Sequence, residues 1–360
     1  MKIKIITTLY HPNLYASIKA LENIADVELL VPEKYKYREI PKDIQHSGLG
    51  CIIKSNRARE VFSPLSLWKT LDKSIDYVVV KHINEPTNFF VYLVCRLKKI
   101  PIIIYVQKVR HLNSGIYYPL FRLLIKLIGR AKIFSVTKEG YEESKKYFKD
   151  VFYIPIAINY FRFKTRHYNT KSDTLTLIYV AKFQKRKNID VLMEALKIIE
   201  DKHGIKTRLK IIAIRDRDDD KEYKRTRENV EKLRLKNRVS ILTDVDNQNM
   251  NGQYNSADIF VFPATSEPLG FSLVEAMASG LPVVCSDEVG TKCYIKEGFN
   301  GYVIKAGSAE EIAKCLLQFI EGRKINWSKI SRFGRNSRVL IEREHAPEVF
   351  LKRFKSMLKA

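Results

Sequence analysis

The chain has 360 residues, more than one hydrophobic core usually supports, so two domains are expected. An apolar content of 45% with 11% aromatics excludes a disordered chain, and the 29% of charged residues form no long tail of one sign. The formal charge of +24, from 64 Lys and Arg against 40 Asp and Glu, points to an anionic partner without naming it. The apolar run in the N-terminal MKIKIITTLYHPN is too short for a signal peptide, and no stretch approaches the ~20 apolar residues of a spanning helix. Cys51, Cys95, Cys285, Cys293 and Cys315 show no CxxC spacing, so neither a disulfide framework nor a zinc site is expected. A reducing cytoplasm is the expected compartment.

Short β-branched runs alternate with longer amphipathic stretches along the whole chain, the pattern of parallel sheets covered by helices. In the first half, strands are expected at KIKIIT, DVELLV, DYVVV, PIIIYV, KIFSV and VFYIP, with helices near 14–25, 87–99, 117–130 and 139–148. The polar FKTRHYNTKSD, 163–173, has no apolar period and reads as the linker, giving domains over 1–163 and 174–344 with 164–173 between them. The second half repeats the alternation at TLIYV, LKIIAI, RVSIL, DIFVF, PVVCS and GYVI, and a last helix is expected at 345–358. The fold class is α/β, two doubly wound domains, and ligands of such sheets sit beyond the carboxyl ends of the strands.

One such end is the strand DIFVFPA, followed by SEPLGFSLVEAMASGLPVV, 266–284. Ser272 with Glu275 three residues on reads as a capping box, and Gly280 then Pro282 as a helix stop. On that reading Glu275 is structural. Glu267 lies in the loop ahead of Pro268, where a solvated carboxylate and a ligand-facing one are both natural. Earlier, KFQKRK places a basic turn between an apolar strand and an amphipathic helix.

Together these segments resemble the E-x7-E signature of retaining glycosyltransferases of the GT-B fold, particularly glycosyltransferase family four, with Glu267 and Glu275 as the two acids. YVAKFQKRKNIDVLMEAL, 179–196, is similar to the family's R-x4-K segment, with Lys182 where Arg is usual and Lys187 five residues on. The run from YNSADIFVFPA to NGYVI follows the family pattern almost throughout. YIPIAIN, 153–159, looks like the end of the N-terminal domain, with Ala157 where Gly is usual. The resemblance implies a GT-B architecture of two Rossmann-like domains facing a cleft. The acceptor would lie on the first domain, the nucleotide diphosphate sugar donor on the second, and the 345–358 helix would pack back onto the first.

The implied chemistry is metal-independent transfer of a sugar to a hydroxyl acceptor with retention, and no cofactor is expected. Glu275 would accept both ribose hydroxyls, and Glu267 would bind the donor sugar and stabilise positive charge at its anomeric carbon. Lys182 and Lys187 would stabilise the departing diphosphate, the task a metal has elsewhere. Gly270, Phe271 and Ser272, with Leu269 before them, would present helix N-terminal amides to phosphate, Gly270 admitting close approach.

On the acceptor side the chain departs from the family. The first loop, TLYHPNLYAS, lacks Gly and carries His11 and Asn13; Gln107 stands where a His is frequent; His82 and Glu85 follow the DYVVV strand; and in the 212–228 segment, otherwise a solvated loop and helix start, Arg215 is the one donor candidate. Residues 51–150 hold 19 basic and 8 acidic side chains, and Arg122, Lys126 and Arg130 recur every four residues in 117–132. That stripe fits either a solvated helix face or contact with an anionic membrane surface bearing a lipid-linked or cell-envelope glycan acceptor. Two other readings stand beside these: a basic nucleic-acid-binding protein, against which there is no recognition-helix, zinc or RNP-type motif, and a glycosyltransferase-like protein that binds without turnover.

Overall fold

Parallel strands buried on both faces need apolar side chains at consecutive positions, and Ile102–Val106 meets that demand with all five residues buried. In the computed structural model this strand lies inside the first of two sheets. The structure describes residues 1–360 apart from 9, 34–39, 54–60, 82–87, 108–125, 127–128, 130, 166–171 and 215–219. It divides into two units, Met1–Ile158 with His345–Ala360, and Asn159–Glu344.

Among the described residues, the first unit holds strands β1 (Lys2–Ile6), β2 (Asp26–Pro32), β3 (His46–Leu49), β4 (Cys51–Ile53), β5 (Val61–Phe62), β6 (Tyr77–Lys81), β7 (Ile102–Val106), β8 (Lys132–Ser135) and β9 (Val151–Tyr153). Its parallel sheet has the order β3-β2-β1-β6-β7-β8-β9, while β4 and β5 form a separate antiparallel pair. The helices are α1 (Tyr15–Glu22), α2 (Pro64–Thr70), α3 (Phe89–Lys98) and α4 (Lys138–Lys145). All six strands expected here are present. Beyond them stand β3, β4, β5 and α2. HSGL has no apolar alternation and becomes a strand only by pairing with the edge of β2. The 117–130 helix lies outside the described residues, save that Lys126 is helical and exposed.

The second unit holds β10 (Thr174–Lys182), β11 (Lys206–Ile214), β12 (Val239–Thr243), β13 (Ile259–Phe262), β14 (Val283–Ser286) and β15 (Gly301–Ile304) in the order β12-β11-β10-β13-β14-β15, with a short pair β16 (Ile320–Glu321) and β17 (Lys324–Ile325) apart from the sheet. Its helices are α5 (Ile189–His203), α6 (Lys221–Lys232), α7 (Met250–Asn255), α8 (Phe271–Ala278), α9 (Ala309–Leu317) and α10 (Trp327–Glu344). The six main strands are parallel. The chain steps outward from β10 to β12, then returns to β13 on the other side of β10. This reversal opens a crevice at the carboxyl ends of β10 and β13.

The division falls at Ile158, ahead of the boundary at 163 and the linker at 164–173 that composition indicates. The reason is Arg338 of α10. Its Nη1 donates to the carbonyls of Tyr160 (3.1 Å), Phe163 (2.8 Å) and Ala278 (2.7 Å), and its guanidinium lies 4.7 Å from the Tyr160 ring centroid. Tyr160 and Phe163 are thereby bound to the second unit through their backbone carbonyls, which side-chain composition does not advertise.

The final helix, α11 (Pro347–Lys359), returns to the first unit. Phe350 and Phe354 stack on each other at 5.9 Å and both meet the ring of Phe134 edge-on, at 6.3 and 5.8 Å. Lys132 of β8 caps the helix end, donating to the carbonyls of Met357 (2.8 Å) and Leu358 (2.9 Å). Phe354 is fully buried, so Phe354→Ala is expected to cost about 3–5 kcal/mol of unfolding free energy in the first unit. Urea denaturation of wild type and variant checks this; a loss under ~1 kcal/mol would show that the helix is not part of that core.

Candidate active site

The crevice of the second unit is built by two loops. After β10 the chain passes through a 3-10 turn, Lys185–Lys187, and Asn188 takes a left-handed conformation (φ 57°) before α5 begins. This turn swings Lys187 inward, leaving it 6% exposed, while Lys182 remains exposed at the strand end. After β13 the second loop, 263–270, is clasped to the first. The Thr265 amide donates to the Arg186 carbonyl at 2.8 Å, its hydroxyl donates to the same oxygen at 3.2 Å, and Asn188 Nδ2 donates to the Pro263 carbonyl at 3.3 Å.

Glu267 is the meeting point. Its Oε2 accepts from Lys187 Nζ and from Arg186 Nη1, the latter at 3.0 Å. Its Oε1 accepts from the Leu269 and Gly270 amides at 3.3 and 3.2 Å. Its backbone is fixed by a bridge to Val289, with the Glu267 amide on the Glu288 carbonyl (3.0 Å) and the Gly290 amide on the Glu267 carbonyl (2.9 Å). The Lys187 ammonium also lies 4.9 Å from the Phe262 ring centroid. Burial alone would raise the Glu267 carboxyl, but the charges and hydrogen bonds of Lys187 and Arg186 hold it below its ordinary value, so it is ionised at neutral pH. Burial pulls the Lys187 ammonium below its ordinary value, and Glu267 opposes that shift.

Two expectations change here. Arg186, which the reading of a Lys182–Lys187 pair overlooked, is the second cation on Glu267; the signal was present in the KRK turn. Leu269 and Gly270 turn their amides to Glu267. Gly270 itself adopts φ 80°, and a Cβ there would lie 2.8 Å from Val289 Cγ1 and 3.1 Å from Phe262 Cε1. Glycine is required by backbone and packing together.

The capping box is also corrected. Gly270 is the N-cap of α8 and makes no side-chain cap bond, so Phe271 and Ser272 are the first two helical residues. Glu275 then lies one turn inside, where its Oε2 accepts from the hydroxyl of Tyr254 in α7 at 2.8 Å. Burial raises the Glu275 carboxyl above its ordinary value; the Tyr254 hydrogen bond and the charge of Arg162 oppose this. Tyr254, fully buried, had no signal in the sequence beyond being an aromatic residue in YNSADIF.

In the first unit Gln107 is buried, with Nε2 donating to the Tyr105 hydroxyl at 3.0 Å and its backbone carbonyl accepting from Thr137 Oγ1. Its amide is therefore engaged within the core of that unit. His11 is exposed, and its carbonyl accepts from the Leu14 amide at 2.9 Å in the turn that opens α1. His82, Glu85, Arg215, Arg122 and Arg130 lie outside the described residues. Among the described residues, no group of three His, Cys, Asp or Glu side chains is arranged to hold a metal, all five cysteines are free, and no helix is long and apolar enough to cross a membrane.

Residues 161–339 match the model of the family described as glycosyl transferases group 1. The chain is 28% identical over 148 residues to an uncharacterized glycosyltransferase of Methanocaldococcus jannaschii, an alignment covering 41% of this chain and 36% of that one. It is 22% identical over 199 residues to the capsular polysaccharide biosynthesis glycosyltransferase CapM of Staphylococcus aureus, covering 54% and 49%. These matches span about half or less of the curated relatives' own length. The crystal structure of Anabaena HepE in complex with UDP superposes with a TM-score of 0.81 at 14% identity, over 100% of each chain. Fold and site define a GT-B protein with an E-x7-E loop. The chain has the GT-B fold, and its residues 161–339 are related to the glycosyl transferases group 1.

A raised carboxyl pKa contributes stability in acid that is lost as pH rises through it. Glu275→Gln, whose side-chain oxygen still accepts from Tyr254, should therefore be as stable as wild type or more so at pH 7, with the difference vanishing below the ordinary carboxylate range of about 4.3. Thermal melts at pH 4 and pH 7 check this; a variant less stable at pH 7 would contradict the electrostatic assignment.

Proposed function

We propose that this protein is a retaining, metal-independent glycosyltransferase that moves a sugar from a nucleotide diphosphate sugar to a hydroxyl acceptor in cell-envelope or surface polysaccharide or glycolipid assembly. The observation that carries the reading is the half-buried Glu267 carboxylate, held by Lys187 and Arg186 at the crevice of the second unit, eight residues ahead of the half-buried Glu275. A nucleotide diphosphate sugar brings a ribose diol, two phosphates and a ring of hydroxyls to such a crevice. Glu275 accepts from the ribose hydroxyls, since a carboxylate kept in a buried site is an acceptor whose ionisation is favoured once two donors reach it. The amides of Phe271 and Ser272 open α8 toward phosphate.

Lys187 supplies positive charge where the leaving diphosphate gains negative charge. Because its ammonium already rests on Glu267, a diphosphate beside it offers a second anion, and the carboxylate is then shared between the cations and the donor sugar. A cation fixed before the bond breaks stabilises the transition state without reorganising. Lys182, exposed at the end of β10, is the outer cation and Arg186 the one that keeps Glu267 in place. The UDP seen in HepE makes uridine diphosphate the first nucleotide to test, and the capsular role printed for CapM supports a polysaccharide acceptor. A lipid-linked acceptor at an anionic membrane surface rests on the 19 basic against 8 acidic residues of 51–150.

Thermal shift with UDP, GDP and ADP tests the donor site. One of them is expected to stabilise the wild type, by about 2.7 kcal/mol at ~100 times its Kd, and Glu275→Gln is expected to lose that effect. Lys187→Gln is expected to lower turnover on the order of a hundredfold or more, with activity of the wild type undiminished in chelator. Stabilisation by none of the three, or a wild type inactive in chelator, would overturn the reading.

A further inference from the structure

At the opposite ends of the strands from the crevice, the second unit carries a groove of about 390 Å³ whose walls include Arg208, Lys210, Lys236 and Arg238 and, among the described residues, no carboxylate. The strand pattern explains why it is open. Along β11 the residues Thr207, Leu209 and Ile211 are buried, while Lys206 and Arg208 on the alternate face are exposed and Lys210 half-buried. In the parallel register Arg208 lies beside Thr176 of β10, and Lys210 beside Ser240 of β12, so that face is polar across three strands. The crossover from β12 to β13 that would cover it contains only the six-residue α7.

Lys210 is the informative side chain. Its ammonium donates to Gln253 Oε1 at 3.0 Å and Ser256 Oγ at 2.6 Å, both neutral, and burial lowers its pKa with no opposing charge. The nearby carboxylates are engaged elsewhere: Glu200 pairs with Arg238, Asp173 with Lys206 at 2.8 Å, the buried Asp258 accepts from the Thr176 amide at 2.7 Å, and Glu231 stands 3.7 Å from the exposed Lys236. A half-buried ammonium held by neutral groups, with an exposed arginine two residues away on the same face, leaves both cations free to take an anion. Arginine with lysine, hydroxyls beside them, is the donor set that suits a phosphate group, the arginine giving a two-pronged contact and the lysine a point charge.

We propose that this groove is a binding site for a phosphate group, separate from the candidate donor crevice, with Arg208 and Lys210 as its principal contacts. The phosphate belongs either to a soluble phosphoester or to a phospholipid headgroup. Calorimetric titration with inorganic phosphate tests the site in wild type, in Arg208→Gln/Lys210→Gln and in Lys182→Gln, the last reporting phosphate held at the donor crevice. Neutralising a half-buried, unpaired cation does not disfavour folding, and a thermal melt of each variant confirms this. Expected is a loss of affinity on the order of tenfold or more in the double variant and none in Lys182→Gln. Equal affinity in wild type and the double variant, loss confined to Lys182→Gln, or no binding to wild type would each overturn the proposal. Given the expected result, co-sedimentation with vesicles of phosphatidylglycerol in phosphatidylcholine assigns the source: binding by wild type that the double variant loses assigns it to lipid, and no difference between them assigns it to a soluble phosphoester.

Discussion

The ion pair between Glu267 and Lys187 fixes the geometry on which the rest of the candidate site depends. Neither side chain is stable alone at its depth, since an unpaired charge at 7% or 13% side-chain exposure costs several kcal/mol. Each therefore imposes a position on the other. The turn after β10 must carry its lysine inward, and the loop after β13 must return its glutamate to meet it. The backbone clasp between Thr265 and Arg186 and the bridge from Glu267 to Val289 follow from that meeting. With the carboxylate also taking the Leu269 and Gly270 amides, the loop arrives at α8 in one orientation, which only glycine at 270 permits.

A second carboxylate, Glu275, stands in contrast to the first. Glu267 is half-buried with two cations and held below its ordinary pKa; Glu275 is half-buried with a tyrosine hydroxyl and pushed above it. Two acids of one type in one segment are given opposite electrostatic settings by their neighbours, the arrangement by which a fold divides roles among carboxylates. Glu267 is stabilised by its surroundings as it is. Glu275 gains from donors that a ligand would bring, so its burial is costly to the protein alone and useful to binding.

The strands were legible because central parallel strands need apolar runs, and Ile102–Val106, Ile259–Phe262 and Val283–Ser286 supply them. His46–Leu49 was not, because its pairing partner makes it a strand and its composition does not. The unit boundary was displaced because Arg338 binds carbonyls, which are the same in every sequence. The two acids and Lys187 stood out by resemblance and position, yet their partners did not. Ser272 and Glu275 satisfy the spacing of a capping box, and only the positive φ of Gly270 moves the cap two residues earlier. Arg186 was hidden by its basic neighbours, and Tyr254 by lying in a different helix from the carboxylate it serves.

The most direct test of this account is a double-mutant cycle on unfolding free energy with Glu267→Gln, Lys187→Met and the two combined. If the pair is the constraint described, each single variant loses stability and the combined variant regains part of it, with a coupling of about 2 kcal/mol or more. Losses that add to within ~0.5 kcal/mol would contradict it, because two side chains that do not depend on each other cannot hold the two loops together.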